Sequence, residues 1–178
     1  VRPRPLSIEN PEYDRYVSLV PDGDIEEILS KQRTKTITFL SSISEESARK
    51  AYAPGKWTLK EVIGHMADVE RVMSYRMLAI ARNESAPLPA MDQDQYVSAA
   101  NFNKLSWEQL LAGLDTVRSN TLSLISTIDD AAWDRNGTVM NSPVSIGTFA
   151  YGIIGHELHH MKVISDNTYK SFSINEKT

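Results

Sequence analysis

Two short stretches, "WTLKEV" (57–62) and "LSWEQL" (105–110), constrain the fold of this chain more than any other feature. In each, a hydroxyl residue is followed three positions later by Glu or Gln, with apolar residues on both sides. Thr58 with Glu61, and Ser106 with Gln109, have the pattern of a capping box, in which the two side chains satisfy each other's free backbone N–H groups. Trp57 with Val62, and Leu105 with Leu110, occupy the two positions of a hydrophobic staple. The spacing predicts one helix over about 59–81 and another from Ser106 to about 128.

Two more long helices follow from periodicity. From Asp24, Ile25, Ile28, Leu29, Gln32, Thr36, Phe39 and Leu40 trace one helical face. Ser145 can cap a last helix from Ile146 to about Thr168. "SEESARKAYA" (44–53) reads as a helical turn stopped by Pro54-Gly55. "NESAPLPAMDQDQY" (83–96) reads as a loop, and "RNGTVMNSPV" as irregular or briefly extended. The first 23 residues read as an extended arm lying over the surface of a domain that spans 24–178. Four long helices without a convincing strand pair predict an all-α, four-helix bundle.

Composition sets the limits on function. At 178 residues with 41% hydrophobic and 24% charged residues, the chain suits one soluble domain with a sizeable core. Its 19 Lys and Arg against 23 Asp and Glu argue against nucleic acid as a partner, since binding phosphate backbones needs clustered positive charge. The absence of cysteine excludes disulfides, thiolate metal sites and a cysteine nucleophile. The opening "VRPRPLSIENPEYDRYVSLVPDGD" has no apolar run of signal-peptide type, and no segment is apolar enough for a membrane span. A cytoplasmic protein with a small-molecule substrate is the expectation.

Chemistry concentrates in "HELHH" (156–160), which holds three of the four histidines. At roughly 100° per residue, His156 and His160 project about 40° apart, on the face that also carries Phe149, Ile153 and Val163. Imidazoles at i and i+4 can reach one ion; the alternative is a pair of hydrogen-bonded core histidines. His65 shares its face with Val62, Val69 and Val72, so it also points inward. Three buried neutral imidazoles without partners would cost several kcal/mol, and a shared metal removes that cost. His159 and Glu157 fall on opposite flanks of the line.

The letters also satisfy the zinc-protease pattern H-E-x-x-H, in which Glu157 would be the general base. That reading lacks a downstream third ligand: no histidine follows His160, and the only later acids are Asp166 and Glu176. For Glu157 three roles stay open: base, hydrogen-bond partner to a ligand histidine, or solvated flank residue. Asp68 and Glu61 each lie one turn from His65 and are candidates to accept from a ligand's second ring nitrogen. Arg76 is a candidate substrate anchor; it can equally pair with an acid or extend out at the bundle end. Trp57, Tyr96, Trp107 and Trp133 read as packing residues.

"GKWTLKEVIGHMADVERVMSYRM", with "PVSIGTFAYGIIGHELHHMKVI" far downstream, resembles the DinB/YfiT-like family of proteins named as metal-dependent hydrolases. The likeness spans about residues 24–168. It implies a four-helix bundle of up-down-down-up type, with one divalent ion, commonly zinc or nickel, on the positions of His65, His156 and His160. It implies hydrolysis or, as in some relatives, thiol transfer or isomerisation using bacillithiol, mycothiol or glutathione. A non-catalytic metal-binding stress protein is a third reading, and a homodimer is implied by resemblance alone.

Overall fold

Both capping boxes form. Thr58 Oγ1 accepts from the Glu61 N–H at 3.2 Å while Glu61 Oε2 accepts from the Thr58 N–H at 2.8 Å. Ser106 and Gln109 exchange the same two bonds at 3.1 and 2.8 Å. The computed structural model describes residues 2–5 and 11–175 of the chain. Its elements are α1 (Pro11–Val17), α2 (Ile25–Ser41), α3 (Glu45–Ala48), α4 (Leu59–Ala81), α5 (Gln93–Ala100), α6 (Trp107–Ser126), the strands β1 (Asn136–Val139) and β2 (Ser142–Ser145), and α7 (Ile146–Asn175). Caps at Asp24, Asp92 and Ser145 start α2, α5 and α7 by accepting from first-turn N–H groups.

Helix directions follow from which residues meet. Between α2 and α6, Arg33 meets Asp115 and Leu40 meets Trp107, so these helices are antiparallel. Between α4 and α7, His65 meets His160 and Arg76 meets Phe149, again antiparallel. Glu70 with Arg118 and Ser74 with Thr121 make α4 and α6 parallel. Gln32 with Ile154, and Thr36 with Glu157, make α2 and α7 parallel. The chain order is therefore up-down-down-up. Parallel neighbours need a return across the bundle, which is why 82–106 is long and contains α5.

Apolar residues form two cores. One gathers Leu29, Met73, Met77, Ile125, Phe149 and Ile154, closed by the hairpin and Trp133. The other gathers Leu40, Ile63, Ala67, Leu110, Leu114 and Ile164. On every long helix the residues between these two sets include a buried polar one: Gln32 and Thr36, Glu70, Arg118, and Glu157. The bundle thus has a polar layer at mid-height.

Three segments depart from the sequence reading. The arm is not extended at 11–17, where α1 lies along α7. Pro11 is in place at the first helical position, but two turns are too few for periodicity to register. Within 83–96 the loop ends at Asp92, and α5 follows with only Val97 buried, again too little pattern to read. The stretch read as irregular or briefly extended is extended, but its two short strands also pair, in a hairpin whose turn residues, Met140 and Asn141, have φ of 50° and 65°, as a two-residue turn requires. Val1, residues 6–10 of the arm and the end of the domain at 176–178 lie outside the described residues. No helix among the described residues is long and apolar enough to cross a membrane.

Candidate metal centre

His65 comes from the second turn of α4, and His156 and His160 come from successive turns of α7. Antiparallel packing brings them together. One ring nitrogen from each lies within 4.8 Å of the other two, and these three are the whole cluster among the described residues. His156 Nε2 is 3.1 Å from His65 Nε2 and 3.1 Å from His160 Nε2. Donors about 2.0–2.1 Å from a tetrahedral ion stand about 3.4 Å apart, so the separations suit a common ligand.

Hydrogen bonding alone cannot satisfy this arrangement. A neutral imidazole nitrogen has either one proton or one lone pair. His156 Nε2 can therefore serve one neighbour well, and its single proton or lone pair leaves the other contact poorly satisfied. His65 Nδ1 is also buried without a partner. Burial holds His65 down to about 4 and His160 down to about 3, and pushes His156 well below its usual value. The rings are neutral at pH 7, which is the ligand form. Three neutral ring nitrogens within 4.8 Å of one another fit a divalent ion.

Packing fixes the rings. Trp57 lies against His65 with centroids 4.9 Å apart, so this staple residue is also a wall of the site. Tyr16 of α1 meets His156 edge-on at 5.2 Å. That contact depends on Gly155, where an added Cβ would fall 1.9 Å from the Tyr16 carbonyl oxygen. His159 is exposed and outside the cluster, its ring against Tyr16.

The other candidate residues have different partners. Glu157 is buried, which overturns the solvated-flank reading; Oε1 accepts from Thr36 and Oε2 from Arg118. Burial raises its pKa, opposed by Arg118 and Thr36. Glu61 is occupied by its capping box and by Asn103, and Asp68 pairs with Arg71, so neither serves His65 Nδ1. Arg76 pairs with no acid among the described residues, and it does not extend outward. It is buried, donates to Tyr13 and to the Pro89 carbonyl, and lies over Phe149. Trp107 and Trp133 pack and donate to the carbonyls of Leu40 and Pro3, while Tyr96 is exposed.

Sequence reasoning missed Glu70 and Arg118. The available signal was a charge in mid-helix on an apolar stripe: Glu70 continues Ile63 and Ala67, and Arg118 sits among Leu114, Val117 and Thr121.

Known proteins resemble this chain along most of its length. The sequence pattern of the DinB superfamily matches residues 28–164. A protein of Oceanobacillus iheyensis named "Putative metal-dependent hydrolase" is 25% identical over 142 residues, covering 78% of this chain and 82% of its own. YfiT from Bacillus subtilis, described as a probable metal-dependent hydrolase with an unusual four-helix bundle topology, superposes with a TM-score of 0.70 at 18% identity, over 96% of this chain and 93% of its own. A mycothiol-dependent maleylpyruvate isomerase superposes at 0.65 with 13% identity, over 82% of this chain and 61% of its own. At such identities the two structures speak for the fold.

Proposed function

The chain belongs to the DinB superfamily, and from that premise we propose that it is a metal-dependent hydrolase of small molecules, with one divalent ion held by Nε2 of His65, His156 and His160. The observation that carries this reading is the convergence of three buried, neutral imidazoles with no other way to satisfy one another. When bound, a divalent ion would supply Lewis acidity and a lowered pKa for water, and three donors among the described residues would leave a coordination position for it.

The residues around the cluster hold it ready. Desolvation keeps the rings unprotonated, and Trp57 and Tyr16 restrict their tilt. The general-base role for Glu157 is not part of this proposal, because both of its oxygens already accept hydrogen bonds elsewhere. Thiol transfer is less favoured: Arg76, the candidate anchor for an anionic thiol, has Tyr13 and Pro89 as partners and little exposure.

Elemental analysis of the purified protein should find about one divalent ion per chain. His65→Ala, His156→Ala and His160→Ala should each reduce occupancy by roughly tenfold or more, and His159→Ala should leave it unchanged. A panel of esters and amides should be turned over without added thiol, and His65→Ala should abolish that turnover. Turnover only with added thiol would replace hydrolysis by transfer. Loss of the ion in His159→Ala but not in His160→Ala would overturn the ligand set.

A further inference from the structure

We propose that the buried cluster of Glu70, Arg118 and Glu157 supplies a fixed negative counter-charge to the histidine site, so that Glu70 and Glu157 are positioning residues for the ion. This rests on the metal-binding reading above. Arg118 donates to Glu70 through Nε at 2.8 Å and Nη2 at 3.0 Å, and to Glu157 through Nη2 at 2.6 Å. Its Nη1 donates to Gln32 Oε1 at 3.2 Å. All three ionic side chains are at most about 5% exposed. Among the described residues Arg118 is the one cation paired with either carboxylate.

Two carboxyl groups share one guanidinium, so the cluster has one more acid than base in the dry interior. A purely structural ion pair has no use for that excess, because an uncompensated buried charge is costly. The histidine site presents the converse imbalance. Three neutral ligands leave both charges of a divalent ion uncompensated, and among the described residues no carboxylate belongs to the cluster. The two clusters are joined through α7, where Glu157 follows His156 directly; the Cα atoms are about 3.8 Å apart and the side chains leave the helix about 100° apart. Charges in a low-dielectric interior act on each other well beyond contact distance.

The cluster is also held rigidly. Thr36 donates to Glu157 at 2.5 Å, and Gln32 donates to the Ile154 carbonyl at 3.0 Å. Both bonds run from α2 to the turn of α7 that carries His156. The negative charge therefore stays in place beside the ligand.

The test is Co²⁺ affinity of the apoprotein, measured by competition with a chelator, alongside the visible spectrum of the Co²⁺ form. Glu157→Gln keeps the shape and removes the charge. It should weaken Co²⁺ roughly tenfold, a typical effect for a group outside the ligand set, with the spectrum unchanged. Glu70→Gln should act in the same direction by less. Ser74→Ala, which removes a buried hydrogen bond between α4 and α6 outside this network, should stay within about twofold of wild type. Wild-type Co²⁺ affinity in both Gln variants, with only their melting temperatures changed, would overturn the proposal and make the cluster structural. Should Glu157→Gln not fold, Glu70→Gln decides the question from α4. Failure of wild type to bind Co²⁺ would instead overturn the ligand assignment, and this inference with it.

Discussion

α7 contributes to two buried polar clusters through adjacent residues, His156 and Glu157, and the two clusters are built differently. Around Arg118 the donors meet acceptors: two carboxylates, a Gln carbonyl and a Thr hydroxyl close the network from all four long helices. Around His156 one ring nitrogen faces two others and can serve only one of them well, and His65 Nδ1 has no partner among the described residues. Buried polar groups that satisfy one another hold a fold together. Buried groups that cannot do so mark where something else must bind.

The contrast can be broken most forcefully at Arg118. Arg118→Met leaves two carboxylates buried without their cation and should cost about 3–5 kcal/mol of stability, measured by urea unfolding. His156→Ala in the metal-free protein should cost clearly less, since it removes a member of an unsatisfied group. Equal losses would erase the distinction between the clusters.

Acid should sharpen the distinction next. An unfolded histidine titrates near 6.5, whereas the folded chain holds His65 to about 4 and His160 to about 3. Below pH 6.5 the unfolded chain takes up protons that the fold refuses. The contribution to stability is thus complete above about 6.5 and is lost as pH falls toward 4 and 3. For His65 alone the loss is on the order of 3 kcal/mol. Urea midpoints from pH 7 to 4 should fall in wild type and fall less in a His65→Ala variant; parallel curves would contradict the assignment.

A smaller effect separates the site from its cover. Gly155→Ala sets a methyl group against the Tyr16 carbonyl and should displace α1, costing about 1–3 kcal/mol. Ion occupancy should persist, because the three ligands come from α4 and α7. Loss of the ion in this variant would show that α1 is part of the site itself.

What was legible in the chain was local. The box at Thr58 and Glu61 fixed the start of α4, and its apolar spacing carried the helix to Ala81, the boundaries observed. The i, i+4 relation of His156 and His160 put them on one face, and their neighbours showed that face to be buried. α1, α5 and the pairing of the hairpin escaped because they hold too few residues for a period to emerge, whereas α3 was legible as a helical turn. Glu61, Asp68 and Arg76 were assigned by helical angle, which gives direction but not the nearest partner. Their partners, Asn103, Arg71, Tyr13 and Pro89, include groups from other elements that no angle reveals.

The sequence by itself therefore determined that this chain makes four long helices, and that three histidines face inward from two of them. Capping and periodicity act over one or two turns, so their information lies in adjacent letters. The family resemblance already implied the up-down-down-up order and the histidine triad; only the tertiary structure showed the contacts that enforce them, His65 against His156 among them, and that Glu157 turns to Arg118. Those outcomes depend on contacts between residues 39 to 121 positions apart, where packing and charge pairing choose among faces that the local pattern leaves equivalent.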